Sequence, residues 1–167
     1  MAKKNIILCG FMGCGKSTIG SLLAKKIGSA FIDLDRYIEK QEKKSVSQIF
    51  ADNGEPYFRD LERKAAQTLS HKNGLVIAAG GGTLTFPENV DAFRHNGCIV
   101  LLNIPVEIAA QRLQYDTTRP LLNRPDKEEV MRDLYNQRLP LYQSAADITV
   151  DASQSPMQVC LDIISSL

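Results

Sequence analysis

The chain has 167 residues, close to the usual size of one domain, and 44% of them are hydrophobic, enough to form a buried core. Its 20 Lys and Arg residues nearly balance its 19 Asp and Glu residues, and a net charge of +1 excludes the broad positive field that attracts nucleic acids or anionic membranes. We therefore expect no nucleic-acid or membrane partner and, because the chain has no long apolar repeat, a monomer.

Five short apolar runs alternate with stretches of helical periodicity along the whole chain. The runs cover residues 5–9, 30–34, 75–79, 98–103 and 147–150. This alternation predicts a single α/β domain over residues 1–167, with a parallel sheet and helices on both of its faces. Ligands of such folds bind at the carboxyl ends of the strands, so the residues just after each strand are the candidates for a site.

The run GFMGCGKST at residues 10–18 joins the first predicted strand to the first predicted helix. Its Gly-x4-Gly-Lys-Ser spacing is typical of a loop whose backbone N–H groups surround nucleotide phosphates. Lys16 supplies positive charge for the β- and γ-phosphates, and the Ser17 hydroxyl suits Mg²⁺. The alternative is a tight glycine turn that binds nothing. The predicted ATP-binding residues of this loop are Gly13, Cys14, Gly15, Lys16, Ser17 and Thr18.

Two carboxylates, Asp33 and Asp35, stand at the end of the second strand. A carboxylate close to Mg²⁺ completes its coordination shell, usually through water, whereas one that faces an incoming hydroxyl orients it and accepts its proton. We assign the first role to Asp33 and the second to Asp35. The alternative is that these acids only end the strand or cap a helix that begins at Asp35. The phosphate loop upstream favours the functional interpretation.

A helical insert is predicted between the second and third strands, with helices over residues 45–51 and 56–69. We assign substrate binding to the insert over about residues 35–62. After the third strand, Gly80, Gly81 and Gly82 would let a ligand approach the backbone closely, although a flexible turn has the same composition.

Residues 115–125 contain two prolines and several turn formers, which predicts an exposed loop. A lid over the nucleotide, at about residues 113–125, and a plain surface loop both fit this composition. Arg59 lies in the insert, Arg119 in the loop, and Arg138 in a helix predicted over residues 125–144. Each arginine taken alone indicates a solvated surface residue, but a kinase for a small acid needs cations at the phosphoryl group and at the substrate carboxylate, and the three together meet that need.

The four cysteines have no spacing typical of zinc sites. We expect reduced thiols, no metal cluster and no catalytic role for Cys14. The early apolar run is interrupted by Gly10, Gly13 and Lys16, so we predict neither a targeting signal nor a membrane span, and a cytoplasmic location.

With these motifs in order, the chain resembles the shikimate kinases over almost its whole length. The resemblance rests on residues 10–18, FIDLD at 31–35, GEPYFR at 54–59 with Glu62, GGG at 80–82, RPLL at 119–122, and RLPLY at 138–142 with Ala146 and Asp147. It implies a three-layer P-loop kinase fold of the nucleoside monophosphate kinase type with a five-stranded parallel sheet. It also implies transfer of the γ-phosphoryl group of ATP to the 3-hydroxyl of shikimate, in aromatic amino acid (chorismate) biosynthesis.

The same resemblance implies a role for each site residue. On the acceptor side, Asp35 meets the 3-hydroxyl, Arg59 and Arg138 hold the shikimate carboxylate, and Gly81 contacts the substrate through its backbone beside Gly80 and Gly82. On the nucleotide side, the implied contacts are Lys16 and the lid residue Arg119 at the phosphates, Arg112 beside the adenine, Gln154 in an adenine loop, and Mg²⁺ held by Ser17 and supported by Asp33. The catalytic residues by this resemblance are Asp35, Lys16 and Arg119.

Two alternatives stay open. One is another small-molecule kinase of this fold, such as a gluconate kinase, a family in which a histidine follows the second-strand acid where this chain has Arg36. The other is a nucleotide-binding module that has lost turnover, which should also have lost some of the motif residues.

Overall fold

Five parallel strands form one sheet in a computed structural model that describes residues 3–115, 122 and 124–167. The strands are β1 (Asn5–Cys9), β2 (Ala30–Asp33), β3 (Leu75–Ala78), β4 (Gly97–Asn103) and β5 (Ile148–Asp151). Each lies within one residue of a predicted apolar run. Their order across the sheet is β2-β3-β1-β4-β5, with Ile7 of the central strand in register with both Ile77 and Ile99. The predicted α/β fold with a five-stranded parallel sheet is confirmed.

The described residues also form α-helices that follow the strands along the chain. They are α1 (Lys16–Ile27), α2 (Leu34–Glu42), α3 (Val46–Asn53), α4 (Glu55–Ser70), α5 (Pro87–His95), α6 (Val106–Leu113), α7 (Lys127–Ala145) and α8 (Pro156–Ser166). Local sequence signals set several of their starts: the hydroxyls of Ser45 and Ser155 accept hydrogen bonds from the first turns of α3 and α8. Within this described part of the chain, no helix is both long and apolar enough to span a bilayer.

Helices cover both faces of the sheet, and the central strand shows how. Ile7 and Leu8 are fully buried neighbours on β1, so their side chains point to opposite faces. On one face, a Cβ atom placed on Gly20 of α1 would lie 3.2 Å from the Leu8 side chain. On the other face, a Cβ atom placed on Gly97 would contact both the Ile7 side chain and the carbonyl oxygen of Phe93 in α5. The sheet is therefore the middle layer of three, and the core lies on both of its sides.

Residues 116–121 and 123 are outside the described residues. Arg119 and most of the predicted lid at about residues 113–125 belong to them, so the lid stays a prediction.

The four cysteines, including the buried Cys9 and Cys14, are free thiols. Burial is the main cause that raises the pKa of Cys9 to about 12, which keeps this thiol protonated as a core residue.

Candidate active site

A cavity of about 1030 Å³ opens at the carboxyl ends of β1, β2 and β3. It lies where parallel strands of an α/β sheet present their following loops, which is the edge that the sequence predicted. The structure brings almost all predicted site residues to its wall. Those that line the cavity are Gly13, Cys14, Gly15, Lys16, Ser17, Thr18, Asp33, Asp35, Arg59, Gly80, Gly81, Gly82, Arg112, Arg138 and Gln154.

The loop after β1 has the backbone conformation of a phosphate-binding loop. Gly13 and Gly15 have φ angles of 80° and 93°, in the left-handed region that a side chain would disfavour. Helix α1 begins directly afterwards, and no side chain among residues 3–115, 122 and 124–167 caps its N-terminus. Its first N–H groups, together with the positive end of the helix dipole, are therefore available to an anion such as a nucleotide phosphate.

Lys16 folds its side chain back over this loop. Its Nζ donates a hydrogen bond to the carbonyl oxygen of Gly10 at 2.8 Å and a longer one to that of Phe11 at 3.4 Å. The ammonium group thus lies against the loop, where the sequence predicts that the β- and γ-phosphates bind. Phosphate oxygens can replace these neutral carbonyl acceptors with stronger, charge-assisted hydrogen bonds.

Ser17 and Asp33 form an oxygen pair at the mouth of the cavity. The Ser17 hydroxyl donates to Oδ2 of Asp33 at 2.5 Å, while Oδ1 of Asp33 accepts from the backbone N–H of Arg36 at 3.2 Å and caps α2. Asp33 therefore caps a helix, as the alternative predicted, although the helix begins at Leu34. Capping leaves Oδ2 directed at Ser17, and the Mg²⁺ role of this carboxylate stays a prediction.

The oxygen pair fits Mg²⁺. Mg²⁺ prefers hard oxygen ligands, keeps several waters, and binds through one or two protein groups plus substrate phosphates. Among the described residues, no group of three or more His, Cys, Asp or Glu side chains could form a closed cage. A hydroxyl and a carboxylate beside the phosphate loop therefore suit a cation that enters together with a nucleotide.

Asp35 lies in the first turn of α2, two residues after Asp33, and lines the same cavity. Its carboxylate faces the glycine run after β3. A Cβ atom placed on Gly80 would lie 3.0 Å from Oδ1 of Asp35, and 3.0 Å from both Oε2 of Glu62 and Oγ1 of Thr83. Only a residue without a side chain can stand between these oxygens. The glycine therefore lets the carboxylate and the β3 turn share one wall of the cavity.

Arg59 is held in the cavity wall by two carboxylates of its own helix. Its Nη1 lies 2.6 Å from Oε1 of Glu62, and its Nη2 lies 3.1 Å from Oε1 of Glu55. Burial works to lower the pKa of Arg59, but the two carboxylates outweigh it and hold the pKa above its ordinary value. The guanidinium is thus a fixed, permanent cation. A Cβ atom on Gly82 would lie 2.7 Å from its Cζ, so the glycine run packs directly on it.

Glu62 belongs to the motif around Arg59, but its contacts with the other site residues were not predicted from the sequence. It is fully buried and accepts hydrogen bonds from both Arg59 and the Thr83 hydroxyl. A signal was present in the sequence: Glu62 lies one turn after Phe58 and one turn before Ala65 on the apolar face of α4. An acid at such a position needs a buried partner.

Arg138 reaches the cavity from α7 and is 7% exposed, which is unusual for an arginine. A Cβ atom placed on Gly81 would lie 3.0 Å from its Nη1. The surface alternative is therefore wrong for Arg138. Arg59 and Arg138 approach the glycine run after β3 from two different helices, so the cavity wall near that run carries two cations, of which Arg138 is buried.

On the nucleotide side, Arg112 of α6 donates from Nη1 to the carbonyl oxygen of Gly13 at 2.7 Å, which ties this helix to the phosphate loop. Gln154, after β5, donates to Oδ2 of Asp162 at 2.8 Å and to the carbonyl oxygen of Asp151 at 3.0 Å. Both residues line the cavity, and their contacts with adenine stay predictions.

Comparisons with known proteins agree with this geometry. The family model described as shikimate kinase matches residues 12–167. A shikimate kinase of Persephonella marina is 39% identical over 165 residues, which cover 98% of this chain and 99% of that protein. The structure of a shikimate kinase from Acinetobacter baumannii in complex with shikimate has a TM-score of 0.94 and 36% identity, covering 98% of this chain and 92% of that one. A gluconokinase structure from Sinorhizobium meliloti, at 14% identity and a TM-score of 0.60, shares the fold alone.

Proposed function

Because this chain belongs to the shikimate kinase family, we propose that the cavity at the carboxyl ends of β1, β2 and β3 is where it phosphorylates shikimate. The reaction transfers the γ-phosphoryl group of ATP to the 3-hydroxyl of shikimate and gives shikimate 3-phosphate and ADP. The observation that supports this site best is the convergence of a phosphate loop, the carboxylate of Asp35 and the cations Arg59 and Arg138 on one cavity.

Each residue group has a distinct part in the proposed mechanism. Arg59 and Arg138 bind the shikimate carboxylate and so orient the ring, and the glycine run lets the substrate lie against the backbone. Asp35 then holds the 3-hydroxyl and accepts its proton as the oxygen attacks the γ-phosphorus. Lys16 and, by the family resemblance, Arg119 stabilise the charge on the transferring phosphoryl oxygens.

Ser17 and Asp33 are the residues that would hold Mg²⁺. The ion, when bound, neutralises charge on the β- and γ-phosphates. Asp33 keeps its place through the cap that it forms on α2, and its other carboxylate oxygen accepts from the Ser17 hydroxyl, so the two oxygens proposed for Mg²⁺ lie side by side.

The organisation of the chain follows from these assignments. We assign acceptor binding to the helical insert over about residues 35–62, since α4 presents Arg59 and α2 presents Asp35 to the cavity. A lid at about residues 113–125 would exclude water during transfer. A cytoplasmic location, supported by four free thiols, and a monomer complete the proposal. Fractionation and a mass measurement in solution test these last two points.

The experiment that tests the function is ADP release from Mg-ATP with shikimate, with gluconate and AMP as parallel acceptors, and with no acceptor. We expect release with shikimate alone. ADP release with gluconate or AMP instead would identify the chain as another small-molecule kinase. ATP binding with no ADP release in the presence of any acceptor would identify it as a nucleotide-binding module. The shared fold of the gluconokinase, at 14% identity, gives no support to that first alternative.

The guanidinium group of Arg59 can bind a carboxylate through two N–H groups at once. Arg59→Lys is expected to raise the KM for shikimate about tenfold or more, because lysine keeps the charge but cannot bind a carboxylate bidentately. Lysine is preferred to alanine in this test since it leaves the buried Glu62 with a cation. The KM for ATP should stay within about twofold.

The matched control is Arg63→Lys, one turn later on the same helix, where the arginine pairs with Asp60 and is 41% exposed. This variant should keep both KM values. An unchanged shikimate KM in Arg59→Lys would remove Arg59 from carboxylate binding.

A further inference from the structure

Tyr142 is a buried polar residue that the mechanism above leaves without a part. It lies on α7, four residues after Arg138, so both side chains project from the same face of the helix. The side chain is 1% exposed and does not line the cavity. Its hydroxyl donates a hydrogen bond to the carbonyl oxygen of Gly81, which does line the cavity. The phenol thus lies directly behind the part of the cavity wall that contains Gly81.

Three groups meet at this point. A Cβ atom placed on Gly81 would lie 3.0 Å from Nη1 of Arg138 and 3.9 Å from the hydroxyl oxygen of Tyr142. A tyrosine hydroxyl donates one hydrogen bond and can accept others, whereas a guanidinium only donates. Because the Tyr142 proton goes to the Gly81 carbonyl, the lone pairs of its oxygen can accept a hydrogen bond from Arg138. Burial raises the pKa of Tyr142, and Arg138 opposes this only in part, so the phenol stays a donor.

The hydrogen bond to Gly81 also fixes more than one atom of the turn. The peptide between Gly81 and Gly82 is planar and trans, so holding its carbonyl oxygen on Tyr142 sets the direction of the Gly82 N–H on the opposite side. Three successive glycines have much backbone freedom when nothing holds them. A contact that orders the turn before the substrate binds lowers the entropic cost of substrate binding.

We propose that Tyr142 is a positioning residue for shikimate binding, whose hydroxyl holds the Arg138 guanidinium and the Gly81–Gly82 peptide in one fixed arrangement. The proposal rests on the proposed function, because the group it positions is the cation that binds the shikimate carboxylate. Tyr142 touches no substrate itself. Its effect should therefore appear in acceptor binding rather than in nucleotide binding.

The test is Tyr142→Phe, which removes the hydroxyl and keeps the ring in the core. We expect the KM for shikimate to rise about threefold to tenfold, with the KM for ATP unchanged within about twofold. The matched control is Tyr135→Phe, on the same helix, which removes a hydroxyl that donates to the carbonyl oxygen of Ile104 at 2.8 Å, away from the cavity. Tyr135→Phe should leave both KM values unchanged. If Tyr142→Phe also leaves the shikimate KM unchanged, or raises both KM values equally, the proposal is wrong.

A double-mutant cycle separates positioning from a general structural role. If Tyr142 acts through Arg138, the increase in shikimate KM caused by Tyr142→Phe should be clearly smaller in an Arg138→Met background. Full additivity would overturn the proposal. Shikimate-dependent ADP release by the unaltered chain tests the function itself, so failure of the function and failure of the role of Tyr142 are distinguishable.

A measurement on the unaltered chain covers the case in which Tyr142→Phe does not fold. The chain has five tyrosines, and labelling their Cζ atoms with ¹³C gives one NMR resonance for each. Substitution of the other four tyrosines assigns Tyr142 by elimination. We expect its resonance to shift when shikimate binds, since the charge of Arg138 then gains a carboxylate partner. A Tyr142 resonance that shikimate leaves in place would contradict the proposal.

Discussion

Replacement of Asp35 by Asn is expected to lower the kcat for shikimate phosphorylation by about a hundredfold to ten-thousandfold. Asparagine has nearly the shape of aspartate, but it cannot accept the proton of the 3-hydroxyl. The KM for ATP should stay within about twofold, because the hydrogen bond that links α1 to the start of α2 runs from Ser17 to Asp33 and is left in place by this substitution. Steady-state kinetics with ATP and shikimate varied in turn measure both quantities.

The control for Asp35 is Asp52→Asn, which removes an equal charge from α3, where Asp52 pairs with Lys44 on the surface. This variant should keep the kcat. If Asp35→Asn turned over at the rate of the unaltered chain, Asp35 would have no part in proton transfer, and another group facing the glycine run would have to replace it.

Replacement of Lys16 by Met has the second-largest expected effect. The kcat should fall by about a hundredfold to a thousandfold, because the ammonium group stabilises charge that grows on the phosphoryl oxygens during transfer. The KM for ATP should rise as well, since the same group contacts the β- and γ-phosphates of bound nucleotide. The shikimate KM should change little, because the acceptor-binding arginines lie on α4 and α7.

Lys25→Met is the matched control, because Lys25 lies on the same helix and is exposed in its last turn. It should leave both KM values and the kcat unchanged. Nucleotide affinity measured directly, by titration with Mg-ADP, separates the two effects of Lys16. If affinity and turnover were both retained in Lys16→Met, the phosphate loop would not bind nucleotide as proposed.

The strands and the phosphate loop were predictable because their signals are local in the sequence. The central strand is apolar after Asn5 and is buried over its whole length, and the glycine spacing after it predicts the loop conformation. The residues that follow β2 and β3 were predictable for a related reason. In a parallel sheet all carboxyl ends meet at one edge, so Asp35 and Gly80 must approach each other once the strands are placed.

The contacts that hold the site residues in place were not predictable in this way. Glu62 and Thr83 are 21 positions apart, and Tyr142 and Gly81 are 61 apart, so these hydrogen bonds depend on how helices pack on the sheet. Arg138 taken alone indicated a solvated surface arginine. Its burial depends on how α7 packs near the turn after β3, which the local sequence does not encode.

The order of the strands has a consequence for how this enzyme could be altered. The central strand β1 carries the phosphate loop, and the strands on one side of it, β3 and β2, lead to the glycine run and to the proposed acceptor residues Asp35 and Arg59. The strands on the other side, β4 and β5, lead to Arg112 and Gln154, but the connection between them also contains α7, which brings Arg138 across to the glycine run. A laboratory change of acceptor therefore needs to redesign the β2–β3 half together with one face of α7, while the phosphate loop on β1 can be kept.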